Sequence, residues 1–312
     1  MSTNLRAGVA GAGVFGGYHA NKYAEAAGAD LAAIYDVDLT RAQEGASKHG
    51  AVGTDDFDEF LSLIDVVTIA TPASTHGALA EKALMAGKHV LVEKPISLDL
   101  DVADRLIALS QEKGCVLQVG HQERYVADAF GLFDRGAPTE IRSRRLNKFS
   151  GRAMDVSVVF DLMIHDLDLL ALLADTDTAE ITHLDVRAEH GDLADYVDVA
   201  LLTSSGIRAQ LTASRLEENP NRDLGLVFGE GEIVLDFLKR ETTNTTSTPL
   251  PVDFGSDDKP RALADPLAHG TETFLEAVRT GSEPTVGGRA GRRALSLALM
   301  IENAAMAALK DQ

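Results

Sequence analysis

Cysteine occurs once in the 312 residues, at Cys115, so no intrachain disulfide can form and a cysteine-rich zinc site is excluded. Basic residues are scarce: 29 Lys and Arg stand against 48 Asp and Glu, for a formal net charge of −19 and a pI near 4.8. That sign is wrong for nucleic acid or an anionic membrane, and any anionic ligand would need a local basic site. Long apolar runs are absent too, because charge or glycine interrupts each one well before the ~20 residues of a membrane span. The opening MSTNLRAGVAGAG has no basic segment leading into an apolar one, so no secretory leader is expected. With the lone cysteine, this makes a reducing cytoplasm the expected location.

What remains is a composition that can fold: 45% hydrophobic and 25% charged residues suffice for a buried core. The length favours two domains. Short β-rich runs alternate with helical patterns in the first third, at LRAGVA (5–10), DLAAIY (30–35), DVVTIA (65–70), HVLVE (89–93) and CVLQVG (115–120). Such alternation predicts a parallel sheet with right-handed crossovers, and the unbroken apolarity of DVVTIA and HVLVE suits strands covered on both faces. Past residue 120 the rhythm changes. A helical FDLMIHDLDLLALLA precedes the successive strand-like runs ITHLDVRAEH, YVDVALLTSS, IRAQLTASRL, DLGLVFGE and EIVLDFL. The expected class is therefore α/β: a Rossmann dinucleotide-binding domain over 1–120, then an α+β domain over 121–312 built on a mostly antiparallel open sheet. The closing helix, RRALSLALMIENAAMAAL, has the option of packing back on the first domain. Residues 241–260, rich in Thr, Ser, Pro and Asp, are expected to form a long surface excursion. No repeat of 20–50 residues is present.

GVAGAGVFGG places Gly11, Gly13 and Gly16 in a G-x-G-x-x-G pattern directly after the first strand and before a helical segment, with Val14 and Phe15 inside the turn. The glycines allow a tight turn and close approach of a pyrophosphate, whose charge meets the N–H groups of the helix start. Asp36 ends the second strand, about 20 residues further on, where a carboxylate accepts from ribose hydroxyls. Asp38 adds negative charge and no Arg occupies the next two positions, so NAD is expected rather than NADP.

Ligands of open α/β sheets lie beyond the carboxyl ends of the strands. TPASTH (71–76) follows DVVTIA there, and EKP (93–95) follows HVLVE. An amine at Lys94 is placed for proton transfer to or from a hydroxyl or carbonyl, although from residue type alone a surface lysine before a Pro-fixed turn is the stronger reading. FDLMIHDLDLL (160–170) sets Asp161, His165, Asp166 and Asp168 among apolar residues. Spacings of four and three place Asp161, His165 and Asp168 on one helical stripe, with Asp166 off it as a solvated or capping residue and Asp168 a supporting or ion-paired group.

The glycine turn, TPxxxH, EKP and the later DxxxH, in this order, resemble the Gfo/Idh/MocA family of nicotinamide-dependent oxidoreductases over nearly the whole chain, through the final PTVGGRAGRRALSLALMIENAA. The resemblance implies that Gly11, Gly13, Val14, Phe15, Gly16 and Asp36 hold NAD. It further implies that Thr71, Pro72 and His76 border the ribose and nicotinamide, with Glu93 and Lys94 at the reacting centre. Lys94, Asp161 and His165 become the implied catalytic group. Many relatives carry glycines just before the Asp of DxxxH, where this chain has SVVF (157–160), a departure that bears on local substrate contacts.

One basic strip breaks the acidity: between Ile141 and Met154 there is no acid, but Arg142, Arg144, Arg145, Lys148 and Arg152 are present. On a strand, Arg142, Arg144 and Lys148 share a face. Such a strip is suited to phosphate or carboxylate, and equally to a solvated sheet face or a subunit contact. Gln122, Arg124 and Arg152, together with Lys94, Asp161 and His165, are the expected substrate contacts. Compact length and DLMIHD are similar to family subgroups that oxidise UDP-linked N-acetylhexosamines, so C3 oxidation of a nucleotide sugar such as UDP-N-acetylglucosamine is the expected reaction. A free sugar or inositol-type polyol and a non-catalytic NAD-binding regulator are the alternatives. A cation held by Asp161, His165 and Asp168 lacks a clear further ligand source, and no metal is expected. The open sheet and the resemblance imply a homodimer or homotetramer.

Overall fold

The computed structural model describes residues 4–151, 153–251 and 259–311. The chain divides into two compact units, and the division does not follow chain order: the first holds 1–122 and 265–292, the second 123–264 and 293–312.

Six parallel strands form the sheet of the first unit: β1 (Leu5–Ala10), β2 (Ala29–Tyr35), β3 (Val52–Thr54), β4 (Val66–Ile69), β5 (His89–Val92) and β6 (Leu117–Val119). Their order is β3-β2-β1-β4-β5-β6, so the sequence of strands reverses direction between β1 and β4. Burial explains the apolar runs, since all four residues of β4 and the last three of β5 are covered on both sides. β3 has no counterpart among the predicted runs; VGT is too short, and too interrupted by glycine, to carry a strand signal.

The connecting helices are α1 (Val14–Glu25), α2 (Leu39–Ser47), α3 (Phe57–Leu63), α4 (Ala73–Met85) and α5 (Leu100–Lys113). Their starts differ in a way that matters for ligands. The carboxylates of Asp38, Asp56 and Asp99 cap α2, α3 and α5 by accepting first-turn N–H groups. Neither α1, which starts at Gly13, nor α4, which starts at Pro72, has a side-chain cap. These two follow β1 and β4, the strands at the reversal point, so free helix N-termini occur where an α/β sheet takes its ligand.

In the second unit, α6 (Gln122–Ala129) leads to β7 (Glu140–Leu146), then a π-helical segment, Val159–Met163, that runs into α7 (Ile164–Leu173). β8 (Ala179–Arg187), β9 (Tyr196–Thr203), β10 (Arg208–Ser214), β11 (Asn221–Phe228), β12 (Gly231–Asp236) and β13 (Glu241–Asn244) follow. The sheet order is β13-β12-β11-β7-β10-β9-β8, antiparallel except for β7 beside β10. Alternation is clean in β9, where Val197, Val199 and Leu201 are buried and their neighbours partly open. The π segment packs on β10. β13 gives the start of the expected 241–260 excursion an edge-strand pairing with β12; residues 252–258 of it lie outside the described residues. Helices α8 (Arg261–Ala264), α9 (Pro266–Thr280) and α10 (Gly288–Lys310) end the chain. α9 belongs to the first unit, packing on α1, while α10 begins in the first unit and continues in the second.

Candidate active site

The three glycines of the β1–α1 turn are required for three different reasons. Gly11 has φ +103, and a Cβ there would lie 2.6 Å from the Ala70 carbonyl oxygen. At Gly16 a Cβ would lie 1.7 Å from the Gly11 carbonyl oxygen, so the helix closes on the turn only without a side chain. Gly13 has an ordinary φ of −74, and no protein atom lies within 4 Å of an added Cβ. Its bareness serves something outside the turn. Val14 and Phe15 are about half exposed beside it.

Asp36, only 8% exposed, is fixed by the turn it serves. Its Oδ2 accepts the Ala12 N–H at 2.8 Å, and its Oδ1 accepts from the Asp38 N–H at 3.0 Å and the Arg41 guanidinium at 2.8 Å. Arg41 was not singled out from sequence, because five positions separate it from Asp36 and only the turn into α2 brings it back. An open Gly13, an uncapped α1 and a positioned Asp36 fit a dinucleotide: pyrophosphate at the helix start, adenosine ribose at Asp36.

At the next strand ends, Thr71 and Pro72 follow β4, and Pro72 is exposed at the start of α4. His76 does not border open space. It is 2% exposed, with Nδ1 2.7 Å from the Pro95 carbonyl oxygen and Nε2 2.9 Å from that of Thr71. A neutral ring donates to only one of these at a time. Burial, partly offset by the two carbonyls, pushes the His76 imidazole below its usual range. His76 therefore ties the loop after β4 to the loop after β5, and any effect on a cofactor passes through those loops.

Lys94 follows β5, is partly buried, and is joined to Pro95 by a cis bond. The Glu93 carboxylate before it points inward at 6% exposure. Its Oε1 lies 2.8 Å from His19 Nε2 and accepts from Gln122 Nε2 at 2.9 Å. Burial alone would raise the Glu93 carboxyl; the bond and charge of His19, the charge of Lys94 and the Gln122 bond together hold it below the usual carboxylate range. His19 was also missed in the sequence, where it is one polar residue three positions past Gly16.

In the second unit the segment 159–173 is not one α-helix. A π turn precedes α7, so Asp161 and His165, both partly buried, stand on either side of a π-to-α junction. π turns recur at functional positions because the extra residue redirects side chains. The turn is anchored at its start: Ser157 Oγ accepts from the Val159 N–H at 3.1 Å and is bonded to Glu302, while the Arg215 guanidinium donates to the Ala153 carbonyl at 3.2 Å.

Of the other two carboxylates of FDLMIHDLDLL, Asp166 corrects the sequence reading and Asp168 takes its ion-paired alternative. Asp166 is neither solvated nor a cap. It is 1% exposed and ion-paired at both oxygens with Arg145, at 3.0 and 2.8 Å, and Glu123 completes the cluster at 2.8 Å. Asp168 forms a bidentate pair with Arg124, both buried, which is the ion-paired role the sequence allowed it. The guanidinium of Arg124, expected at the substrate, is thus closed around Asp168. Residue spacing along one helix cannot show that the cations arrive from α6 and β7. Gln122, expected in the same role, has its amide on Glu93, and Arg152 lies outside the described residues.

β7 does place Arg142 and Arg144 on one exposed face, with Arg145 buried on the other. The strip is internally balanced: Arg142 pairs with Glu140 at 2.6 Å, Arg144 with Asp223 at 2.5 Å and Lys148 with Glu218 at 2.8 Å. Among the described residues no group of three or more His, Cys, Asp or Glu is arranged to hold a metal ion, and no helix is long and apolar enough to cross a membrane.

Two family models match the chain. That of the oxidoreductase family with an NAD-binding Rossmann fold, GFO_IDH_MocA, covers residues 5–121, and the GFO/IDH/MocA C-terminal domain covers 129–234. A UDP-N-acetylglucosamine 3-dehydrogenase of Acidithiobacillus ferrooxidans is 36% identical across 98% of this chain and 99% of its own length. A solved structure of the enzyme of that name from that organism superposes with a TM-score of 0.86, covering 98% of this chain and 99% of that one. An inositol 2-dehydrogenase of Rhizobium meliloti is 28% identical over 94% of each chain.

Proposed function

The chain belongs to the Gfo/Idh/MocA family of NAD-binding oxidoreductases, and within it we propose a dehydrogenase that oxidises the C3 hydroxyl of a UDP-linked N-acetylhexosamine, UDP-N-acetylglucosamine first, to a 3-keto sugar. One observation carries the substrate: end-to-end similarity, at 36% identity, to a relative named for that reaction. Bound NAD supplies the hydride acceptor. The chain's own residues handle the rest. Lys94 and His165 serve the substrate hydroxyl, His165 accepting its proton and the Lys94 ammonium stabilising the oxygen as charge develops. Asp161 orients His165. Gln122 and Arg152 are proposed at the substrate, and Thr71, Pro72, Glu93 and His76 around the cofactor, His76 through the loops it ties. Arg142, Arg144 and Lys148 are available either to an anionic diphosphate or to a partner subunit on the open sheet, because exposed ion pairs of their kind contribute only about 0–1 kcal/mol and exchange readily. A cytoplasmic homodimer or homotetramer, associating through the open sheet, completes the reading.

The second reading, an inositol-type polyol, is favoured by the 28%-identical inositol 2-dehydrogenase. The test is NADH formation with UDP-N-acetylglucosamine, other UDP-sugars, free hexoses and inositols. Turnover confined to UDP-N-acetylhexosamines is expected. Turnover of inositols alone replaces the first reading with the second, and NAD binding without any turnover replaces both with a regulator.

A further inference from the structure

The geometry points to His19 and Glu93 as a buried pair that positions Lys94, linking the helix of the dinucleotide turn to the residue next to the lysine. The proposal rests on the reading that Lys94 serves the reaction. His19 stands on α1, three residues past Gly16, and is 1% exposed. Its Nε2 is 2.8 Å from Glu93 Oε1. Glu93 in turn turns its Oε2 to the Lys94 backbone N–H at 3.3 Å. One carboxylate thus contacts a side chain from the helix of the glycine turn and the main chain of the lysine.

Space has been cleared for this carboxylate. Gly120, just after β6, has no positive φ to explain it, but a Cβ there would lie 2.7 Å from Glu93 Oε1 and 2.8 Å from Oε2. An ionised group at 6% exposure is costly unless it is paired and hydrogen-bonded. His19, Gln122 and Lys94 supply that compensation, and His76 also lies within reach of the Glu93 and Lys94 charges. The Lys94 charge favours the Glu93 carboxylate, so the two groups are coupled electrostatically. Placing so much structure around a carboxylate beside Lys94 has no packing benefit over an apolar side chain. It does hold the main chain of the lysine and keep a negative charge beside it.

The first test needs no substrate. Lys94 is labelled at one fixed pH with a lysine-selective reagent, its rate of modification read by mass spectrometry on the full-length protein. Glu93→Gln, which keeps the shape and loses the charge beside the amine, is expected to raise that rate by at least about threefold. Should Glu93→Gln fail to fold, Gly120→Ala crowds the carboxylate without removing it, and faster labelling of Lys94 is expected there too. The second test uses turnover. His19→Ala is expected to lower kcat by about 10–100-fold, the range typical of residues that orient a functional group, and His19→Gln, whose Nε2 has similar reach, restores most of it. An unchanged Lys94 labelling rate in a folded Glu93→Gln protein overturns the proposal, as does His19→Ala with unchanged kcat. Full turnover by Lys94→Ala instead overturns the reading beneath it and leaves the labelling result to stand alone.

Discussion

Substituting alanine at Gly13 and at Gly16 separates building the dinucleotide turn from using it. At Gly16 the added Cβ lies 1.7 Å from the Gly11 carbonyl oxygen and 2.8 Å from its carbon. Main chain must move by more than an ångström, because no flexible side chain is there to give way. Overpacking against backbone costs about 1–3 kcal/mol or more, and at about 2–4 °C per kcal/mol Gly16→Ala should melt several degrees below the wild type. At Gly13 the φ of −74 suits alanine and the Cβ meets no protein atom. There the smaller conformational freedom of the unfolded chain should leave stability unchanged or raised by about 0.4–1 kcal/mol. The same Cβ occupies the approach of a pyrophosphate to the α1 N-terminus. Loss of one charge-assisted hydrogen bond, about 1.5–3 kcal/mol, predicts about 10–100-fold weaker NAD binding. Thermal unfolding of the NAD-free proteins and calorimetric NAD titration measure the two effects separately. Gly13→Ala binding NAD as the wild type does, or Gly16→Ala unfolding at the wild-type temperature, refutes the division of roles.

Three further outcomes follow from the charges. Asp36→Ala removes the acceptor for the Ala12 N–H and releases Arg41, so NAD affinity should fall about tenfold while the NADP-to-NAD ratio rises; an unchanged ratio in paired titrations counts against Asp36 as the ribose acceptor. Asp168→Asn leaves the Arg124 guanidinium buried without a counter-charge and should cost about 3–5 kcal/mol in denaturant unfolding, whereas Arg124→Met with Asp168→Leu should recover much of it. Glu302 answers to pH with the opposite sign to Glu93. Burial raises its carboxyl despite the Ser157 bond, so its contribution to stability is full below the unfolded value of about 4.3 and is lost as pH rises through the higher folded value. Glu302→Gln should then melt above the wild type at neutral pH, with the gap closing below pH of about 4; an equal gap at both pH values would sink this account.

Most of the sheet and the cofactor turn were legible because their signals are local. LRAGVA, DLAAIY and HVLVE carry strand patterns that tertiary packing merely completes, and G-x-G-x-x-G states its backbone needs in the residues themselves. FDLMIHDLDLL was only half legible. Its apolar residues do face a core, but the π turn at Val159–Met163 breaks the 3.6-residue period on which the stripe of Asp161, His165 and Asp168 was drawn. The partners of Asp166 and Asp168 come from Arg145 and Arg124, 21 and 44 positions away. No periodicity within the helix reports on them. His19 and Arg41 were missed for the same reason, their meaning residing in what the fold brings to them.

Burial sorts the charges of the second unit into those that define its shape and those a ligand can recruit. Removing Arg124 or Arg145 from its carboxylates would strand a charge in a dry interior, at a cost of several kcal/mol that one new phosphate contact does not offset. Arg142, Arg144 and Lys148 differ, with side chains 56%, 58% and 67% exposed, so a diphosphate replaces their present partners with little loss. A strongly acidic protein that keeps such exchangeable cations on one strand and the loop after it retains a way to attract an anion against its own net charge. Under the proposed nucleotide-sugar reading those cations offer the diphosphate a place that a neutral polyol would not use.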